Sequence, residues 1–353
     1  MSLRSLLRKE LHWSKRHIFV LVFLLIALPL FFAGTSFLFQ DVIPREVPVA
    51  VVAEDESVSS IDMGLVRAGM APYTEPKPAA DRAEALRMLE RESVYAVVSV
   101  PPDLRSGETT FTLTVDGSIV PFQSSSEVIQ NLIELELNRI EGADISIERE
   151  IVGEEKQLPE YLLPSFLMTL MIFFAFTYVP YNVGRDEVVL DRLRVESSLE
   201  ALLASKLAYM TALMVVPILV FHVIATYYGY AIESFHPGAV FVLLLSFAFM
   251  ATLSATVVIL TRFSGAGQFV NLLVMLGLIA LSGLAFPLGF FSPVRTQIAQ
   301  LLPTHYAMVA VRSLMLKDSS IATFADWIAI LFGLFVLSLF ILEGAIIYYR
   351  RES

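Results

Sequence analysis

Residues 184–209 read GRDEVVLDRLRVESSLEALLASKLAY and lie between two long apolar stretches. Apolar residues recur along this segment at the spacing of one helical face, and charged residues can occupy the opposite face. The apolar face would comprise Val188, Leu193, Leu199, Leu202 and Leu203. The charged face would comprise Asp186, Glu187, Asp191, Arg192, Arg194, Glu196 and Glu200. The pattern predicts an amphipathic helix at a membrane surface; a solvated helix without a partner is the alternative.

The composition on either side of this segment indicates a membrane protein. The chain has 353 residues, of which 56% are hydrophobic, and its mean hydropathy is +0.68. A soluble protein of this size is less apolar than that. Six stretches are long enough to cross a hydrocarbon core of about 30 Å. They are residues 18–39, 162–181, 207–229, 239–261, 268–289 and 327–349. The predicted fold class is therefore an α-helical polytopic membrane protein with six transmembrane helices.

The distribution of Lys and Arg next to these stretches predicts the orientation of the chain. Twelve of them fall on one side: Arg4, Arg8, Lys9, Lys15, Arg16, Arg185, Arg192, Arg194, Lys206, Arg262, Arg350 and Arg351. The short connections on the opposite side carry Arg295, Arg312 and Lys317. Because basic residues concentrate in cytoplasmic loops, we predict a multi-pass protein of the cell membrane with both termini in the cytoplasm.

The first 39 residues predict a surface helix followed by a membrane anchor. In residues 1–17, Leu3, Leu6, Leu7 and Leu11 share a helical face with basic residues elsewhere, which is typical of a cytoplasmic interfacial helix. The charged start of a signal peptide is the alternative. The apolar stretch 18–39 exceeds the roughly 7 to 15 apolar residues of a signal peptide. We therefore expect a retained transmembrane helix 1.

Residues 40–159 predict an acidic α/β domain outside the membrane. The segment contains ten Lys and Arg against twenty-three Asp and Glu, so it accounts for the charge of −10 of the whole chain. Strands are predicted at 47–53, 95–100, 111–115 and 145–151, and helices at 79–92 and 125–140, from apolar runs and helical spacing. The predicted fold is thus helical with an inserted extracytoplasmic α/β domain, and residues 160–353 hold transmembrane helices 2–6.

Residues 290–318 do not read as a seventh crossing. Pro287, just before this region, and Pro293 and Pro303, within it, interrupt the apolar sequence, and Arg295 and Arg312 carry charge into it. Two short outer re-entrant helices are expected instead.

Intramembrane ionisable groups are functional candidates by default, and two occur here. His222 lies in the third span and Glu343 near the end of the sixth. A neutral, hydrogen-bonded histidine and a glutamate that reaches interfacial water are the alternatives, and for both residues we prefer them.

The sequence lacks the motifs of several common catalytic and binding sites. The chain has no cysteine, no Gly-x-x-x-x-Gly-Lys-Ser/Thr loop, no His-Glu-x-x-His and no Gly-x-Ser-x-Gly. We therefore expect no enzyme activity, no metal site and no cofactor bound by this chain. The acidic outer segment also argues against nucleic acid as a partner.

Three groups of motifs resemble a known family. Residues 191–203 resemble the cytoplasmic segment of ABC-2 type exporter permeases, with Ser197 where the family often has Gly and Ser205-Lys206 where a Pro commonly follows. Residues 49–55, 96–104 and 115–118 are similar in order to the external domain of the subfamily that has a large extracytoplasmic domain between the first and second transmembrane helices. Residues 286–313 resemble the family's C-terminal signature, which includes a Leu-Pro pair and a following Arg.

The resemblance implies a function and partners. A permease subunit of this family moves substrate outward with ATP hydrolysed by a separate ABC ATP-binding subunit, and it pairs with a second permease copy or a paralogue in the lipid bilayer. The cytoplasmic coupling segment would be 184–206, and the residues that face the ATPase would be Glu187, Asp191, Arg192, Arg194, Glu196 and Glu200. The outer gate would include Pro287, Pro303, Tyr306 and Arg312.

A membrane-anchored receptor or assembly scaffold, whose outer domain binds a ligand, is the alternative function. A receptor normally needs a cytoplasmic output domain, and residues 182–206 are the longest cytoplasmic connection between spans. The permease is therefore the preferred hypothesis, and the sequence leaves its substrate open.

Overall fold

The computed structural model describes residues 3–16, 18–22, 25–26, 47–55, 57–72, 74–102, 108–138, 144–185, 198–284, 286–288, 293–317 and 319–352. The first helices and strands in chain order are α1 (Leu3–Arg16), α2 (Ile18–Val22), β1 (Val47–Ala53), α3 (Ser60–Met70), β2 (Thr74–Pro78), α4 (Arg82–Glu90), β3 (Ala96–Val100), β4 (Glu108–Asp116), α5 (Val120–Leu137) and β5 (Asp144–Val152). The helices that follow are α6 (Leu158–Phe173), a π-helical turn (Phe174–Tyr178), α7 (Val179–Gly184), α8 (Leu199–Leu213), α9 (Val215–Tyr228), α10 (Pro237–Leu260), α11 (Gly265–Leu281), α12 (Pro293–Gln300), α13 (Pro303–Leu316), a 3₁₀ turn (Ile321–Phe324) and α14 (Ala325–Glu352).

Residues 47–152 form an α/β domain around one mixed sheet. The strand order is β2-β1-β3-β4-β5. β1 pairs in parallel with β2 and β3, β3 pairs antiparallel with β4, and β4 pairs in parallel with β5. A parallel neighbour requires a crossover connection, and α3, α4 and α5 lie in the three crossovers.

Helices cover both faces of this sheet. Along β1, Val49 and Val51 join the core on the side of α3 and α5, whereas Ala50 and Val52 pack with Leu89 of α4 on the other side. Successive side chains of a strand point to opposite faces, so a strand that is buried on both faces needs apolar residues throughout. This is why residues 47–53 read as a continuous apolar run.

The rest of the described chain is mainly a bundle of apolar helices. Four helical stretches of the described residues are long and apolar enough to cross a membrane: Leu158–Gly184, Leu199–Tyr228, Pro237–Leu260 and Ile321–Arg351. α11 is also apolar but has only 17 residues. The prediction of a helical membrane protein is therefore confirmed. The predicted first span, 18–39, lies mostly outside the described residues, and the count of six spans stays a prediction.

Proline residues explain several helix boundaries in the bundle. The ring of a proline clashes with the carbonyl four residues before it, and α8 ends at Leu213, four residues before Pro217 of α9. Pro237 and Pro303 occupy the first turn of α10 and α13, where the missing N–H costs nothing. The π-helical turn ends at Tyr178, two residues before Pro180.

Two elements of the domain, α3 and β2, are not predicted from the sequence, and the boundaries of other elements differ from the predicted ones. α3 is capped by Ser59, whose hydroxyl accepts from the N–H of Asp62 at 3.1 Å; the Ser-x-x-Asp spacing was its signal. β2 contains Pro76 and Pro78, which are compatible only with an edge strand, so its sequence does not resemble a strand. The helix predicted at 125–140 begins five residues earlier, at Val120.

Gly117 is required by a close approach of backbone after β4. A Cβ atom at this position would lie 2.9 Å from the carbonyl oxygen of Glu154 and 3.0 Å from the backbone nitrogen of Glu155. Backbone atoms cannot yield as a side chain can. By contrast, a Cβ atom at Gly64, inside α3, would meet nothing within 4 Å.

We expect opposite effects from two glycine substitutions. Gly117→Ala should lower the stability of the protein by about 1 to 3 kcal/mol through overpacking. Gly64→Ala should raise stability by about 0.5 to 1 kcal/mol, because glycine is unfavourable inside a helix. Thermal unfolding of the purified full chain in detergent measures both. A Gly117→Ala protein that is as stable as the natural chain would contradict the close approach.

Candidate functional site at the joint between the domain and the helices

The α/β domain contacts the helical bundle through a three-residue turn, Glu90–Glu92, which we call the docking turn. It begins at the last residue of α4 and precedes β3. Glu92 has a φ of 52°, in the left-handed region that costs an L-residue roughly 1 to 2 kcal/mol. Its carboxylate is buried, with a side-chain exposure of 2%. A strained backbone and a buried charge at one residue indicate that other groups hold the turn in place.

Arg312 of α13 is the partner of the docking turn. Its Nη1 donates to the Glu92 carboxylate at 2.7 Å, and its side-chain exposure is 1%. Its Nη2 donates to the Leu284 carbonyl at 2.8 Å, and its guanidinium lies 4.4 Å from the ring centre of Tyr161. Ser165 Oγ lies 3.4 Å from Nη2. The guanidinium thus joins α13, α6, the segment that follows α11 and the domain.

The residues around Arg312 strengthen the same joint. Ser313 Oγ and Lys317 Nζ donate to the carbonyl of Glu90 at 3.0 and 3.2 Å. Lys317 also forms an ion pair with Asp116 at 2.8 Å, in which both side chains are at most 10% exposed. Buried charges are stable only when they are paired and hydrogen-bonded, so these contacts define one orientation of the domain on α13.

Arg91 connects the docking turn to the beginning of α14. Its Nη2 lies 2.9 Å from the Asp326 carboxylate, its Nε donates to the Thr323 carbonyl at 3.2 Å, and its guanidinium lies 5.1 Å from the ring of Trp327. This pair is partly exposed, since its side chains have exposures of 33% and 54%. Arg91 therefore contributes less stability than the buried pair of Glu92.

A second connection runs through the loop between α9 and α10. The carboxylate of Glu160 accepts the N–H of Ala231 at 2.6 Å and the N–H of Gln157 at 2.6 Å. Lys156 donates to the carbonyl of Ala231 and pairs with Glu154 at 2.6 Å. The loop is thus hydrogen-bonded to the residues that leave β5 for α6.

The structure places the four predicted gate residues near this joint. Pro287 is buried and follows α11, and Pro303 begins α13. Tyr306 packs edge-on against Trp327 at 5.0 Å, and its hydroxyl donates to the carbonyl of Gln300 at 2.7 Å. Arg312 lies two turns further along α13. Whether these residues gate a pathway stays a prediction.

The predicted coupling residues lie mostly beyond the described part of the chain. Those outside the described residues are Glu187, Asp191, Arg192, Arg194 and Glu196. Glu200 is described: it lies in the first turn of α8 and forms an ion pair with Arg350 of α14 at 2.7 Å. Ser198 caps the same helix by accepting from the N–H of Ala201 at 3.2 Å. The pair fixes the start of α8 to the last turns of α14.

Other contacts at this end of the bundle were not predicted. Lys206 is buried inside α8 and donates to the carbonyl of Asn182, near the end of α7, at 3.0 Å. A lone lysine in an apolar helix was the available signal. α1 lies against the same helices, because Ser14 hydrogen-bonds Tyr209 at 2.8 Å and Trp13 packs against Tyr178 at 6.0 Å.

The two intramembrane candidates lie on exposed helix faces. Nδ1 of His222 lies 2.9 Å from Ser234 Oγ. Glu343 is exposed on α14. Among the described residues, no group of three or more His, Cys, Asp and Glu side chains could hold a metal ion.

The fold and the joint define a class: a helical membrane protein with an α/β domain tied to one end of the bundle by buried ion pairs. The comparison with protein families is more specific. A model described as ABC-2 family transporter protein matches residues 18–342. The chain therefore belongs to the ABC-2 transporter family and is a membrane permease of that kind. Comparisons with curated proteins and with solved structures found no match.

We expect the buried pair to dominate the stability of the joint. Glu92→Gln leaves the buried guanidinium of Arg312 without its counter-ion, which should cost about 3 to 5 kcal/mol. Adding Arg312→Met removes the unpaired charge. The double variant should therefore lose less stability than the sum of the losses measured for the two single variants. Thermal unfolding in detergent measures these values.

The exposed pair of Arg82 and Glu150, 2.6 Å apart in the same domain, is the matched control. Its side chains are 48% and 46% exposed, and the hydrogen bond from Arg82 lowers the pKa of Glu150 from its ordinary value. Arg82→Gln should change stability by less than about 1 kcal/mol. Equal losses for Arg82→Gln and Glu92→Gln would show that burial does not set the strength of the pair.

Proposed function

We propose that this protein is the membrane-spanning subunit of an ATP-driven exporter, in which a separate ABC ATP-binding subunit hydrolyses ATP. Membership of the ABC-2 family supports the kind of partner. The proposed assembly contains two permease chains, identical or paralogous, and two ATPase subunits. Its termini and residues 184–206 face the cytoplasm, and the α/β domain lies outside the cell membrane.

The observation that carries the mechanism is the position of α14 between two ion pairs. Asp326, near its beginning, pairs with Arg91 of the docking turn, and Arg350, near its end, pairs with Glu200. At about 1.5 Å per residue, a helix from 326 to 350 is about 36 Å long. One continuous helix therefore links the segment proposed to meet the ATPase with the domain at the other end of the bundle.

ATP-driven closure of the ATPase subunits would push the segment that contains Glu187, Asp191, Arg192, Arg194, Glu196 and Glu200. The movement would pass through α8 and α14 to α13 and the docking turn. It would open a path beside the proposed gate residues, Pro287, Pro303, Tyr306 and Arg312. In this mechanism the permease transmits force, and bond-breaking chemistry takes place in the partner subunit.

The first experiment is purification of the tagged chain from its native membranes in mild detergent, followed by identification of bound proteins and an ATPase assay. We expect a P-loop ATPase to co-purify with the chain. Recovery without any nucleotide-binding partner would contradict the exporter and favour a receptor or scaffold that works through its outer domain.

Charge reversal at the coupling segment tests the proposed contact. Glu196→Arg with Glu200→Arg should lower stimulated ATPase activity by about tenfold or more, the loss of an interaction worth about 1.4 kcal/mol. Insertion into the membrane should be unchanged, since the side chain of Glu200 is 29% exposed in an ion pair that contributes little to stability.

A charge swap separates a contact with the ATPase from a purely internal role. Glu200→Arg with Arg350→Glu restores an ion pair between α8 and α14 but presents the reversed charge to a partner. We expect stability to recover while stimulated ATPase activity stays low. Full recovery of activity in the swapped protein would show that Glu200 acts only through Arg350.

A further inference from the structure

Two cavities of different chemistry adjoin each other under the docking turn. A cleft of about 730 Å³, lined by charged and polar side chains together with apolar ones, lies between the domain and α12 and α13. An apolar groove of about 280 Å³ lies between α10, α13 and α14. Tyr306 and Trp327 line both cavities, with their rings in edge-on contact at 5.0 Å. The two spaces therefore meet at one aromatic pair.

The groove is suited to an aliphatic chain. Its wall is built from small and aliphatic side chains, and Asp326 is its one charged residue among those described. Ile330, 62% exposed on the surface of α14, lies on its open side. α14 belongs to a stretch apolar enough to cross a membrane, so this open side faces lipid. Ligand pockets usually measure about 300 to 1,000 Å³, so the groove holds part of a ligand and the adjoining cleft the rest.

The cleft is suited to a headgroup that carries both signs of charge. Arg91 and Glu92 line it but are already paired with Asp326 and Arg312. Glu75 and Lys77 line it from the edge strand β2, and Lys77 Nζ donates to the Ser93 carbonyl at 3.4 Å. They are two residues apart in a strand and therefore share a face. Gln297, Gln300 and His305 supply further polar groups from α12 and α13. A cation fits beside the carboxylate and an anion beside the ammonium, whereas a headgroup of one sign satisfies only one of them.

We propose that the cleft and groove together bind a zwitterionic membrane amphiphile, which enters sideways from the leaflet on the side of the α/β domain. Its aliphatic chain lies in the groove between α10, α13 and α14, and its headgroup lies in the cleft under the docking turn. Tyr306 and Trp327 lie at the boundary between the two parts, where an aromatic ring with one polar atom suits both environments. This inference does not depend on the proposed ATPase partner.

The chain contains its own reporter for this site. It has two tryptophans, Trp13 and Trp327. Trp13 packs against Tyr178 and Arg185 at the opposite end of the bundle. In the Trp13→Phe variant, all tryptophan fluorescence therefore comes from Trp327. The probe is lysophosphatidylcholine with a dibrominated chain, because bromine quenches tryptophan only at short range. It is titrated into the full chain in nanodiscs of unbrominated anionic lipid.

We expect quenching of Trp327 that saturates at a low mole fraction of the probe. Quenching that rises linearly, as in random contact with bilayer lipid, would overturn the proposal. Leu334→Phe narrows the groove at a partly exposed position and should weaken binding by about tenfold or more, which corresponds to about 1.4 kcal/mol.

Leu337→Phe is the matched control. Leu337 lies three residues further along α14, is 52% exposed and does not line the groove. The Leu337→Phe protein should bind the probe as tightly as the natural protein does. Equally weakened binding of the probe by both variants would overturn the proposed site. Native mass spectrometry of lysophosphatidylcholine bound to the same two variants, with Trp13 retained, gives a second readout if Trp13→Phe does not fold.

The headgroup is tested with lysophosphatidylglycerol that carries the same dibrominated acyl chain, because the phosphoglycerol headgroup lacks the cation. We expect weaker binding than with phosphocholine, and Glu75→Gln should reduce the difference. Equal affinity of the two headgroups for the natural chain would overturn the zwitterionic assignment.

Discussion

The joint between the domain and the membrane helices depends on one buried charge, the guanidinium of Arg312. A charge withdrawn from water must be compensated locally, and here the compensation comes from three separate parts of the chain: the Glu92 carboxylate, the Leu284 carbonyl and the face of the Tyr161 ring. These groups cannot move independently without exposing the charge to an apolar surrounding. The left-handed backbone of Glu92 is retained for the same reason, because its carboxylate reaches Arg312 from that turn.

The same turn ties α13 and α14 to each other. α13 holds the docking turn through Arg312 and Ser313, and α14 holds it through Asp326. α14 then continues to Arg350 at the other end of the bundle. In the proposed mechanism this helix, with an ion pair near each end, transmits movement between the two ends of the bundle.

Much of the architecture could be predicted from the residues alone. The apolar run at 47–53 is long enough for one buried strand. The apolar stretches 162–181, 239–261 and 327–349 lie inside observed helices to within one residue, because apolar length is what burial in a sheet or a bilayer requires. β2 could not be predicted, since Pro76 and Pro78 are tolerated only because the strand lies at the edge of the sheet. Edge position is a property of the assembled sheet.

The sequence by itself determined the class of protein, through apolar length, and it identified Arg312 and Glu200 as residues of interest through their resemblance to family motifs. Only the tertiary structure decided what these residues contact. Glu92 is 220 residues from Arg312 and Arg350 is 150 residues from Glu200. Nothing in the sequence marks Glu92 or Arg350 as the partner of these residues. The physical reason is that hydrophobicity acts locally along the chain and can be read from a short window, whereas the partner of a buried charge is set by how distant elements pack.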